Sequence, residues 1–180
     1  GIDLPEQRGY PAQLQALLGN GYNVRNYGVS ARTLLNKGNM PYMAEQAWRE
    51  ALDFNPNIAI IKLGTNDSKA INWKYGNEFA HDLQLMIDSL KALPAHPKIY
   101  LAYPLVATNE VKRDNSINNE VIEKDIMPVI RKVAKKNKCG LIDMREQLNQ
   151  KDLMQRDGVH PTAKGAGEMA KAIAEAITQK

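Results

Sequence analysis

Apolar residues recur along the chain in two rhythms: short continuous runs, and longer stretches with a spacing of three and four. Leu14, Leu17 and Leu18 follow Pro11 on one helical face and Gly19 stops the segment. Proline just inside the start and glycine just past the end are what such a helix requires. Tyr22 to Tyr27 then reads as a short strand. Pro41 leads a helix to about Phe54, and Asn57 to Leu63 is a continuous apolar strand of the kind buried on both faces. The clearest helical period belongs to Phe79, Leu83, Met86, Leu90 and Leu93. Lys98 to Tyr103 predicts another buried strand. Ile117, Val121, Ile122, Ile126, Val129 and Val133 predict a long helix kinked at Pro128, and Gly140 to Asp143 a further short strand. A polar helical turn and an amphipathic helix from Thr162 to Ile177 complete the pattern.

Strands alternating with helices of ten or more residues imply right-handed crossovers and a parallel sheet covered on both faces. The expected fold class is therefore three-layer α/β/α. One irregularity stands out. The helix at Pro11 is preceded only by Gly1 to Tyr10, a polar loop with Pro5 and Gly9, so the pattern starts one strand late and its first strand is missing.

Composition narrows this only slightly. The 180 residues suit one domain, and 43% hydrophobic with 24% charged residues excludes a disordered or fibrous chain. No apolar run reaches membrane-spanning length, since Ile58 to Ile61 is broken at Lys62. The 24 basic and 20 acidic residues give a net charge of +4, concentrated from Arg131 to Lys138. That block complements the end of a helix dipole, and without interleaved aromatics it is not a nucleic-acid footprint. A single cysteine, Cys139, excludes an internal disulfide and reads as a buried thiol. No signal peptide is present and the first residue is Gly, which reads as a processed or trimmed start. The compartment, secreted or periplasmic with its signal removed among the options, and the oligomeric state are left open.

In open parallel sheets ligands bind beyond the carboxyl ends of strands. Three polar loops fall there or at a helix entry: Asn26 to Ser30, Gly64 to Asp67, and Asp157 to Pro161. Each alone is an ordinary turn. Together they supply what acyl transfer needs, a base oriented by a carboxylate and donors for an oxyanion. His160 can take and return a proton near neutral pH, and Asp157, three residues earlier, can fix its tautomer. The amide of Gly28 and the carboxamide of Asn66 are the candidate oxyanion donors.

These three segments, in this order and on these elements, resemble the second, third and fifth sequence blocks of the SGNH (GDSL-type) hydrolase family, over essentially the whole chain. The runs Leu63 to Asp67 and Asp157 to Pro161 are specific in combination. The resemblance implies a flavodoxin-like serine esterase domain that needs no metal or cofactor, with Gly28 and Asn66 as oxyanion donors, Asp157 as orienter and His160 as base. The family's first block, Gly-Asp-Ser after the first strand, is not in this sequence. Gly1 to Pro11 resembles the segment just downstream of it, so the resemblance places the nucleophile upstream of Gly1 and makes residues 1–180 an N-terminally truncated single domain.

Among the remaining serines, Ser30 lies in the glycine block and is a poor substitute, while Ser68, Ser89 and Ser116 read as a loop residue, a helix-surface residue and a helix cap. Trp73, seven residues past Asn66, can stack on a sugar ring or simply cover the core. Arg32 can meet a polar substrate or be a surface arginine. Trp48 and Met86 read as core, and His81 and His96 lack ligand spacing for a metal. The loop after Asn66 has the polar and aromatic flavour of the carbohydrate-deacetylating members, which implies an acetylated glycan or another small ester as substrate. The alternatives are a short-chain or lysophospholipid esterase, and a non-catalytic carbohydrate-binding relative.

Overall fold

The structure, a computed structural model, describes residues 8–108, 116–148 and 150–179. Seven α-helical segments occur among them: α1 Tyr10–Leu18, α2 Gln46–Asp53, α3 Ala70–Trp73, α4 Phe79–Lys91, α5 Asn119–Val121, α6 Met127–Asn137 and α7 Ala163–Thr178. Three strands, β1 Ile58–Ile61, β2 Lys98–Ala102 and β3 Gly140–Ile142, form one parallel sheet in the order β1-β2-β3. In the β1/β2 ladder Ile58 faces Lys98 and Ile61 faces Leu101. The α/β class is as the alternating pattern requires.

The chain divides into two compact units. The larger comprises Tyr27–Val106 and Glu110–Leu141. Its core shows the period of two expected of a strand: Ala59, Ile61 and Leu63 from β1 and its exit, with Ile99, Leu101 and Tyr103 from β2 and its exit, belong to one apolar cluster. Phe79, Leu83, Met86, Ile87 and Leu90 on α4 join it, as do Ile122, Ile126, Ile130 and Val133 around α6. Most of these are almost fully buried, and each such side chain contributes about 1.5–3 kcal/mol of transfer free energy.

The second unit comprises Gly1–Asn26, Ala107–Asn109 and Ile142–Lys180. There α1 buries Leu14, and α7 buries Ala166, Met169, Ala170 and Ile173. The Gln13 carboxamide donates to the Ala163 carbonyl at 2.9 Å, which anchors α1 to the start of α7.

Local chemistry explains where the elements depart from the sequence pattern. Tyr22 to Tyr27 is not a strand. Gln15 takes the polar groups a ladder would use: its Nε2 donates to the Tyr22 carbonyl at 3.0 Å and its Oε1 accepts the Val24 amide at 2.7 Å. The helix expected from Pro41 is interrupted, because Glu45 is extended between a 3-10 turn at Tyr42–Ala44 and α2. The long helix around Pro128 widens instead of kinking. A π-helical turn, Ile122–Ile126, lets the Met127 amide reach the Ile122 carbonyl, and Pro128, which has no N–H, then sits in the first turn of α6 where it costs nothing. Asn118 rather than Ser116 caps α5. Cys139 is half-buried, not enclosed.

Candidate active site

Asp157 and His160 lie in the smaller unit, on a turn whose shape follows from its residues. Gly158 takes a φ of 70°, a backbone state that favours glycine. Asp157 Oδ1 accepts the amides of Val159 at 2.9 Å and His160 at 3.0 Å, as aspartate does when it mimics a backbone turn. The other carboxylate oxygen stands 2.6 Å from His160 Nδ1. An antiparallel bridge between Met154 and Pro161 closes the base of the turn, and the Gln155 amide donates to the His160 carbonyl at 2.7 Å. Thr162 then caps α7 by accepting the Gly165 amide. Burial works to raise the Asp157 pKa, but the bonds from the His160 ring and from two amides outweigh it and hold the carboxyl below its ordinary value. A carboxylate at Nδ1 that stays ionised to lower pH than usual leaves Nε2 as the ring atom that faces away from Asp157 and is able to accept a proton.

Gly28, Arg32, Asn66 and Trp73 lie in the larger unit. Gly64 ends the exit from β1 with a φ of 120°, and a Cβ there would press on Ile126 at 3.1 Å. The chain then turns through Asn66–Ser68. Asn66 is half-buried and spends one N–H of its carboxamide on the Arg32 carbonyl at 3.2 Å. The Gly28 loop is exposed, and the Tyr27 carbonyl just before it accepts the Tyr42 hydroxyl at 2.8 Å. Ala31 holds a φ of 64°, a conformation that costs a non-glycine residue about 1–3 kcal/mol. It is braced by the Arg32 guanidinium, which reaches the Ser30 carbonyl at 2.9 Å and Glu45 at 2.6 Å. That guanidinium is therefore already partnered within the chain. Trp73 is half-buried, its ring edge against Phe79 at 5.8 Å between centroids, and a Cβ on Gly76 would collide with it. Among the described residues no three His, Cys, Asp or Glu side chains gather as a metal ion would need.

Residues 3–167 match the model of the GDSL-like lipase/acylhydrolase family. The chain is a member of that family. An acetylxylan esterase from Xylanibacter ruminicola is 48% identical over 195 residues, an alignment that covers 98% of this chain and 40% of that protein. The chain thus spans well under half of the relative's length. Solved structures agree on the fold. A carbohydrate acetylesterase from Sinorhizobium meliloti has a TM-score of 0.77 at 20% identity, covering 97% of this chain and 86% of that one. An acetyl xylan esterase has a TM-score of 0.74 at 22% identity, covering 96% and 92%. The native aryl esterase of M. smegmatis has a TM-score of 0.73 at 20% identity, covering 97% and 86%.

Sequence reasoning about this GDSL-like chain missed the buried polar residues behind the loops. Asp67, Asn72 and Asp82 are almost inaccessible. The Asp67 carboxylate accepts the amides of Leu34 at 3.1 Å and Leu35 at 2.8 Å, and Asp82 accepts the Asn36 amide at 2.7 Å. Asp67 closes the run Gly64 to Asp67, where an aspartate reads locally as a turn residue. Asn72 carries no motif, and nothing in its local sequence marks it as buried.

Proposed function

We propose that this chain is the catalytic region of a serine ester hydrolase that removes acetyl groups from a xylan-type carbohydrate, with residues 1–180 acting as one domain. The observation that carries the reading is the Asp157–His160 pair, 2.6 Å apart on a turn that the same carboxylate builds. The 48% identity to an acetylxylan esterase supports the substrate class. Neither compact unit is one continuous stretch of chain, which supports a single domain.

In this reading a serine hydroxyl from a Gly-Asp-Ser segment attacks the ester carbonyl, and His160 Nε2 takes its proton. The amide of Gly28 and the second N–H of the Asn66 carboxamide hold the oxyanion of the tetrahedral intermediate. Its collapse breaks the bond to the sugar oxygen, which leaves as an alcohol with the proton from the imidazolium. Water then attacks the acetyl-serine by the same route, and acetate and free serine result. Asp157 fixes the ring and stabilises its charge. Arg32 and Trp73 are the substrate contacts in this proposal.

Acetate release from acetylated xylo-oligosaccharides by the full-length protein tests the reading. Asn66→Ala is expected to lower kcat by about 100 to 1,000-fold through loss of one oxyanion donor, and His160→Ala by more. Wild-type turnover that survives either change would overturn it.

A further inference from the structure

Asn72 has no place in the chemistry just described, yet it is fully buried and both ends of its carboxamide are used. Its Nδ2 donates to the main-chain carbonyl of Asn66 at 2.8 Å, and its Oδ1 accepts the main-chain amide of Asn39 at 2.8 Å. Those two partners belong to different loops. Asn39 lies in the segment 33–42, which folds back on itself through the Thr33 amide on the Met40 carbonyl and the Tyr42 amide on the Thr33 carbonyl, both at 2.9 Å. That segment continues directly from Arg32, whose carbonyl receives the Asn66 side chain. Asn66 is thus held at two points, its peptide by Asn72 and its carboxamide by Arg32, and Asn72 also fixes the segment that follows directly on the second anchor.

We infer that Asn72 is a positioning residue for hydrolysis: by gripping the Asn66 carbonyl and the Asn39 amide together it aims the remaining N–H of the Asn66 carboxamide. The inference rests on the reading of Asn66 as an oxyanion donor. A carboxamide pinned through one N–H has its plane set, so the direction of the other N–H is fixed by where the anchors stand. Oxyanion stabilisation depends steeply on that direction, because the donor must meet charge that exists only in the transition state. Releasing the Asn66 peptide therefore weakens transition-state binding more than substrate binding. Asp67 reinforces the arrangement from the other side, tying Leu34 and Leu35 of the same segment to the residue after Asn66.

The test is a double-mutant cycle in the full-length protein with p-nitrophenyl acetate. Asn72→Asp keeps the size and the acceptor for Asn39 but loses the donor to Asn66, and Asn72→Ala removes both contacts should the aspartate disturb folding. Each is assayed well below its melting midpoint. The expected result is a kcat about 10-fold lower with KM within about twofold, and no further loss when the change is added to Asn66→Ala. In ¹⁵N-labelled protein the Asn66 side-chain amide signal shifts in Asn72→Asp while the His160 ring signals stay in place. If Asn66→Ala costs activity but Asn72→Asp and Asn72→Ala cost nothing, or cost as much in its absence as in its presence, the positioning role is wrong. If Asn66→Ala itself leaves kcat unchanged, the oxyanion reading fails first, and the two failures are told apart by that single variant.

Discussion

At the scale of single residues, two aspartates are driven in opposite directions by the same kinds of force, and pH separates them. Burial raises the Asp67 carboxyl from its ordinary 3.8 to about 6, against the pull of the Leu34 and Leu35 amides. Between those values the folded protein holds a proton that the unfolded chain has released, so this residue's contribution to stability falls as pH rises through that window and is level above it. Asp157 goes the other way. Its carboxyl sits below the ordinary value, so its contribution is present above that value and is lost as pH falls through the folded one. Following the side-chain carbonyl ¹³C signals through an acid titration separates the two. Asp67 is expected to turn over near 6 and Asp157 below the usual aspartate range; the reverse order would mean that burial does not govern Asp67. The same comparison shows what could be read from the sequence. Asp157 was legible because its partner is three residues away and a turn needs only local chain. Asp67, Asn72 and Asp82 were not, since the main-chain amides they accept, from Leu34, Leu35, Asn39 and Asn36, are 32 to 46 residues distant and only tertiary packing brings those amides to them.

At the scale of elements, the strands and helices with a strong period came out where the pattern put them. The Phe79 to Leu93 repeat became α4, and the apolar runs became β1 and β2 with frayed ends. Two of the departures share a cause, a backbone whose hydrogen bonds are rerouted away from the expected element. Gln15 replaces a ladder at Tyr22 and Val24, and the π turn before Pro128 absorbs its missing donor. Glycine contributes at this scale through close approach. Gly165, in the first turn of α7, lies so near the Leu153 carbonyl that a Cβ would collide with it. That carbonyl also accepts the Thr162 amide at 2.9 Å and belongs to the hairpin base beneath the Asp157–His160 turn. Gly165→Ala is therefore expected to destabilise by about 1–3 kcal/mol despite alanine's better helix propensity, because α7 must shift away from the hairpin. Urea unfolding of the variant measures this. A neutral or stabilising result would show that the helix start yields without cost.

At the scale of the whole molecule, the question is which hydroxyl attacks. The chain has four serines and no Gly-Asp-Ser run. Ser68 is buried, its hydroxyl donating to the Thr65 carbonyl at 2.8 Å and accepting the Asn118 amide at 3.0 Å, so it is committed to holding the loop. Ser89 donates to the Leu85 carbonyl one turn back on α4. Ser116 precedes the cap of α5 and has no motif around it. Ser30 is exposed, but it sits in the turn that the Arg32 guanidinium braces and in the block proposed to supply the Gly28 donor. The proposed mechanism therefore takes its nucleophile from a Gly-Asp-Ser segment, and the chain's 40% span of its acetylxylan esterase relative makes the full-length protein the proper comparison. A nucleophile splits one hard step into two easier ones, whereas His160 without it can only activate water weakly. On p-nitrophenyl acetate the 180-residue chain is expected to work little faster than free imidazole, and the full-length protein faster by several orders of magnitude. Ser30→Ala should change neither. Robust turnover by the 180-residue chain that disappears in Ser30→Ala would move the nucleophile into the glycine block, and with it the assignment of the Gly28 loop as an oxyanion donor would fall.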